Sequence, residues 1–178
     1  MVSRLPFVLL LFPLLVAGAT HTYDVALTRG AELLLPFKKE LKSALLEGLE
    51  QGPVEAISVC QVRAPEIAES RRREGIRVGR SSHRLRNPAN SSPEWVQTAI
   101  QMYLDDDRNR AAYVVPLSDD RWGYAEPIIA QPLCLTCHGQ DLSPAVAERI
   151  DELYPEDQAV GFEAGDLRGV FWLEFPKR

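Results

Sequence analysis

The chain has 178 residues, of which 46% are hydrophobic and 25% charged, and its formal net charge is -5. That length accommodates one compact domain plus an export signal, and the composition excludes a long disordered region. The acidic balance argues against nucleic acid or an anionic membrane surface as a partner.

The N-terminus reads as an export signal. Arg4 precedes an apolar run from Leu5 to Val16, and Ala17-Gly18-Ala19 has the small-x-small pattern of a cleavage site. The run is shorter than the roughly 20 apolar residues that a membrane span needs. The expectation is therefore a signal peptide over 1–19, cleaved after Ala19, and a single periplasmic domain over 20–178 with no stable membrane span. Cleavage also removes Arg4, the one charged side chain of that segment, and leaves the remainder more acidic.

From His21 to Gly52 the chain is rich in Leu and Ala, and Leu41, Leu45, Leu46 and Leu49 recur at helical spacing with lysines opposite. This predicts a long amphipathic helix that Pro36 kinks or divides. Gly52-Pro53 closes it, and Pro53 opens a shorter helix carrying Ala56, Ile57 and Cys60. A third short helix is expected from Pro65 through the basic cluster Arg71, Arg72 and Arg73. Residues 76–80 read as a strand, 81–92 as a polar structured loop, and 93–104 as a helix. Residues 111–117 and 122–129 are β-prone runs joined by Ser118-Asp119-Asp120-Arg121, a hairpin signal. A helix over 144–154 and a final strand over 167–175 follow. Helices early and antiparallel strands late predict an α+β domain, with a long helical N-terminal segment and helices packed on a small sheet.

Three cysteines are present, Cys60, Cys134 and Cys137, so an exported chain cannot pair them all internally. The segment Cys134-Leu135-Thr136-Cys137-His138 has the Cys-x-x-Cys-His spacing of c-type haem attachment. Two thiols so spaced reach the two haem vinyl groups, and the following imidazole ligates iron. A thioredoxin-like pair belongs in a βαβ unit, whereas this one follows an antiparallel hairpin. A structural zinc site from Cys60, Cys134, Cys137 and His138 is the stronger rival, although adjacent ligands at 137 and 138 make a tetrahedron awkward. For the other face of the iron the candidates are Cys60, His83, His21 and Met102. Met102 is explained by helix packing, His83 by a solvated loop and His21 by its place near the start of the exported chain. Cys60 stands between iron ligation and simple burial.

Six stretches resemble a known family. They are Ala56-Ile57-Ser58-Val59-Cys60 with Ala64-Pro65, Arg86-Asn87-Pro88-Ala89-Asn90, Tyr124-Ala125-Glu126-Pro127-Ile128, 134–139, Tyr154-Pro155-Glu156-Asp157-Gln158-Ala159, and Gly165-Asp166-Leu167-Arg168-Gly169. Together they are similar to the periplasmic c-type haem domain with a PAS-like fold, long called a domain of unknown function and also found as the sensor region of some membrane histidine kinases. The resemblance implies a central antiparallel sheet flanked by helices and one haem c, with iron held between the motif histidine and an upstream cysteine. Those roles fall on His138 and Cys60. A facing thiolate favours ferric iron, so the expected haem is six-coordinate and of low potential. Arg86 and the Asn-Pro segment are candidates to hold the propionates, with loop packing as the alternative reading.

Three functions follow as expectations. A redox or ligand sensor would respond to reduction, or to a small gas displacing Cys60. No transmembrane helix or output region is legible, so that use needs a sensor partner in trans. A small electron carrier needs only a redox partner protein and an accessible haem edge. A haem peroxidase would need an open iron site and an acid-base residue, against which two protein ligands argue. No catalytic constellation stands out beyond the haem motif, and Asp105-Asp106-Asp107 reads as a solvated helix end.

Overall fold

The computed structural model describes residues 15–71 and 75–177, with side chains from residue 22 onward. The expected export signal therefore lies outside the described residues as far as residue 14, and Ala17 to Ala19 are described only as backbone. Arg72 and Arg73 of the basic cluster also lie outside them.

Helix α1 spans Leu15–Glu50 and runs through Pro36 without dividing. Its buried stripe is Ala26, Leu34, Phe37, Leu41 and Ala44, at the spacing that aligns one helix face. Leu46, expected on that stripe, is 42% exposed. Helix α2, Pro53–Arg71, likewise continues through Pro65, so the separate third helix expected from that residue does not exist. Packing against a neighbour compensates for the hydrogen bond each proline forfeits. The two helices form a hairpin that packs tightly at Gly48, where a Cβ would stand 2.6 Å from Cα of Ala56.

Four antiparallel strands follow: β1 Arg77–Ser81, β2 Tyr113–Pro116, β3 Arg121–Ile129 and β4 Leu167–Pro176. They order as β1-β4-β3-β2 in one sheet. Between β1 and β2 lies helix α3, Glu94–Asp105; between β3 and β4 lie the short helix α4, Leu135–His138, and helix α5, Pro144–Leu153. The architecture is α+β, as the element order predicts.

Period-two alternation sends the two faces of the sheet to different helices. Trp122, Tyr124, Leu173 and Phe175 join the α1 stripe, whereas Ala125, Val170 and Trp172 pack with Val96, Ala99, Ile100 and Tyr103 of α3. Phe37 and Phe175 are 1% and 0% exposed, and burying each such ring is worth about 1.5–3 kcal/mol. A third, smaller cluster of Ile57, Val146, Ile150 and Tyr154 joins α2 to α5, with Cys137 packed against it. Among the described residues no helix is long and apolar enough to cross a membrane.

Candidate functional site

Strand β3 ends at Ile129, and the chain turns at once into the cysteine motif. Gly165 and Ala130 exchange a hydrogen bond across the start of β4, the Gly165 amide donating to the Ala130 carbonyl at 2.9 Å. A single 3-10 turn, Pro132–Cys134, leads into α4, and the Gln131 amide donates to the Cys134 Sγ at 3.4 Å. Helix α4 is one turn long because Gly139 ends it. There a Cβ would stand 2.6 Å from the Leu135 carbonyl oxygen, so a larger residue would force the turn open.

The stretch 157–162 clamps this turn from outside. The amides of Gly161 and Phe162 donate to the carbonyls of Gly139 and His138 at 2.8 and 2.9 Å. His138 Nδ1 lies 2.7 Å from the Ala159 carbonyl, so Nδ1 carries the proton and Nε2 is the ring nitrogen left to face a ligand. Burial, reinforced by Arg168 and Arg86, pushes the His138 pKa down to about 2 and keeps the imidazole neutral. The Phe162 ring meets His138 edge-on at 6.3 Å and is covered by the Arg84 guanidinium at 3.6 Å.

Arg86 ties these parts together. Its Nη2 donates to the Cys137 carbonyl at 2.6 Å, to Asp157 Oδ2 at 3.0 Å and to the Ala159 carbonyl at 3.2 Å. Asp157 in turn accepts the Ala159 amide at 2.8 Å. The Arg86 and Asp157 side chains are 12% and 6% exposed, a largely enclosed ion pair that sets the position of the motif backbone.

These elements border one cavity of about 310 Å³ between α1, α2, β1, β4 and the motif. Cys60, Cys134, Cys137, His138 and Arg86 all line it, so it brings together the five site residues expected from the sequence. Leu41, Leu45, Leu49, Ile57, Leu133 and Phe171 give it apolar walls, and its volume lies within the range of small-molecule sites. Burial pushes the thiols of Cys60 and Cys137 up, while Arg86 pulls both back and Arg80 also lowers that of Cys60.

Of the remaining candidates, Met102 is exposed on α3 and does not border the cavity, and His83 is exposed with its ring 5.9 Å from that of Phe162. The side chain of His21 lies outside the described residues. Among the described residues no three His, Cys, Asp or Glu side chains form a group that could hold a bare metal ion. Sequence reasoning missed Arg80 and Arg168, which also line the cavity, and the Ala159 carbonyl. Strand periodicity hides the first two and no sequence signal marks the third.

No curated protein matches the chain. Among solved structures it is similar to the one described as the crystal structure of the cyanobacterial heme-protein Tll0287. That similarity has 22% identity and a TM-score of 0.60 and covers 82% of this chain and 93% of that one, a likeness of fold. The family model described as Tll0287-like matches residues 20–176. By that match over nearly its whole length, the chain belongs to the Tll0287-like family.

Proposed function

We propose that the protein is a periplasmic monohaem c-type cytochrome-like protein, a redox or ligand sensor of PAS-like fold whose haem has low potential. The observation that carries this reading is that Cys134, Cys137 and His138 border the same apolar cavity as Cys60, a residue of a different helix. The similarity to a protein described as a haem protein supports it.

The residues fit the group. Cys134 and Cys137 would hold the group through their two thiols, spaced for thioether attachment. His138 offers Nε2, its orientation fixed by the bond from Nδ1 to Ala159. Cys60 would supply a thiolate as the second ligand; burial raises its pKa, and Arg80 and Arg86 act against that. Bound haem supplies one-electron chemistry and a metal site for small gases. The protein excludes water with apolar walls and places Cys60 on α2 and His138 on the motif, so a change at Cys60 would be felt between those two elements. A sensor partner in trans would read that change.

A second reading, a small electron carrier serving a redox partner protein, is favoured by Leu133. It is 50% exposed, borders the cavity and sits next to Cys134, which leaves this edge approachable. Carbon monoxide added to the reduced protein separates the two: ready binding supports sensing, and refusal with fast electron exchange supports a carrier. The parent reading is tested by expression with haem-attachment machinery. A coloured protein heavier by one haem, lost in Cys134→Ser with Cys137→Ser, is expected; a colourless product with the mass of bare polypeptide overturns it.

A further inference from the structure

The cavity has a charge pattern that the attachment motif does not explain. Lys38, Lys42, Arg80, Arg86 and Arg168 border it and, among the described residues, no Asp or Glu does, although Lys38 pairs with Glu126 at 2.7 Å and Arg86 with Asp157. Like charges gathered around a partly enclosed space repel one another unless an anion joins them.

The arginines are not equivalent. Arg86 already has Asp157 as counter-ion and spends Nη2 on protein acceptors. Arg168 has no carboxylate at ion-pair distance among the described residues. It makes one long bond, from Nη1 to the Arg84 carbonyl at 3.5 Å, and lies 5.1 Å from the centre of the Phe162 ring. Its Nε is buried without an acceptor, as are those of Arg84 and Arg86, which is costly for a group that carries charge; what sets Arg168 apart from Arg86 is that no carboxylate pairs with it. Burial first, then Arg80, Arg86 and Arg84, push its pKa down to about 9, and Asp157 alone acts in the opposite sense. Arg80 reaches the same cavity from β1, the strand that pairs with β4 where Arg168 resides.

We propose that Arg168 and Arg80 form a carboxylate clamp that holds the propionates of the bound haem, while Arg86 is a positioning residue for the motif. The proposal rests on the haem reading above. A guanidinium fork matches a carboxylate with two parallel hydrogen bonds, and a buried Nε without an acceptor is what such a fork lacks until the anion arrives. Pairing keeps the propionates ionised, and the cations favour the reduced over the oxidised iron by adding positive charge nearby.

The test is the midpoint potential of the haem-loaded protein followed from about pH 5 to 9, where an unpaired buried carboxyl titrates. The parent and the Arg108→Gln control, altered at a solvent-facing arginine, are expected to hold a flat profile. Arg168→Gln should lower the potential and make it fall further as pH rises, because a propionate now loses its proton within that range. Arg168→Lys, which keeps the charge and loses the fork, should shift in the same direction by less. If Arg168→Gln fails to fold, Arg80→Gln decides by the same criterion. A coloured variant whose profile matches the parent overturns the clamp alone, whereas a parent that never acquires haem overturns the underlying reading with it.

Discussion

The Nδ1 of His138 and the carbonyl of Ala159 are joined at 2.7 Å, and the same carbonyl also accepts from Arg86 Nη2. One backbone oxygen thus fixes the imidazole and registers it against the Arg86–Asp157 pair. Removing one partner of a fully buried pair costs about 3–5 kcal/mol, and this part-buried pair stands at or below the low end. Asp157→Asn should therefore lower the urea-unfolding free energy by roughly 3 kcal/mol and, in haem-loaded protein, alter the visible bands that report His138 orientation. A lowered stability with an unchanged spectrum would show that the pair only braces the fold.

Cys60→Ser should raise the midpoint potential and change the visible spectrum, because a thiolate facing the iron stabilises its oxidised state. The spectrum of the variant decides: identity with the parent removes Cys60 from the ligand set.

At Gly48 two effects oppose each other. Gly→Ala inside a helix ordinarily gains about 0.5–1 kcal/mol, but here the new Cβ would meet backbone of Ala56 at 2.6 Å. Overpacking costs about 1–3 kcal/mol, so Gly48→Ala should destabilise the protein. A raised melting temperature would show that the α1–α2 hairpin yields there.

Alkaline pH should loosen the sheet. Burial pushes the phenols of Tyr103 and Tyr124 up, that of Tyr124 to about 12, and Tyr103 Oη donates to the Ala111 carbonyl at 2.7 Å. A group whose folded pKa is raised contributes stability that is complete below its unfolded value of 10.0 and is lost as pH climbs through the folded one. The urea midpoint should fall steadily between about pH 10 and 12, and less steeply in Tyr103→Phe. A midpoint constant across that range would contradict the assignment.

Much of this architecture was legible in the sequence where side-chain period decides the outcome. The strand over 167–175 alternates between two buried faces, and the hairpin at 118–121 carries its own turn residues. Pro65 misled, since a proline within a helical pattern marks a boundary only if no neighbour stabilises the helix across it. Leu46 misled because four leucines at helical spacing do not reveal which of them a partner helix covers. The Cys-x-x-Cys-His spacing at 134–138 and the lone thiol of Cys60 drew notice in the sequence, but that one cavity borders both was not readable from spacing. Arg80 and Arg168 were not readable, because a charged residue in a strand looks solvent-facing until the opposing wall is known.

The small cluster of Ile57, Val146, Ile150 and Tyr154 shares no member with the two larger cores on the sheet faces. The wall that carries Cys60 is therefore fastened to the motif by its own modest hydrophobic seam. Regions held by few apolar contacts open at lower free energy than the whole domain. Breathing of that seam would open the cavity to water and small solutes while the strands stay zipped, which separates access to the site from unfolding.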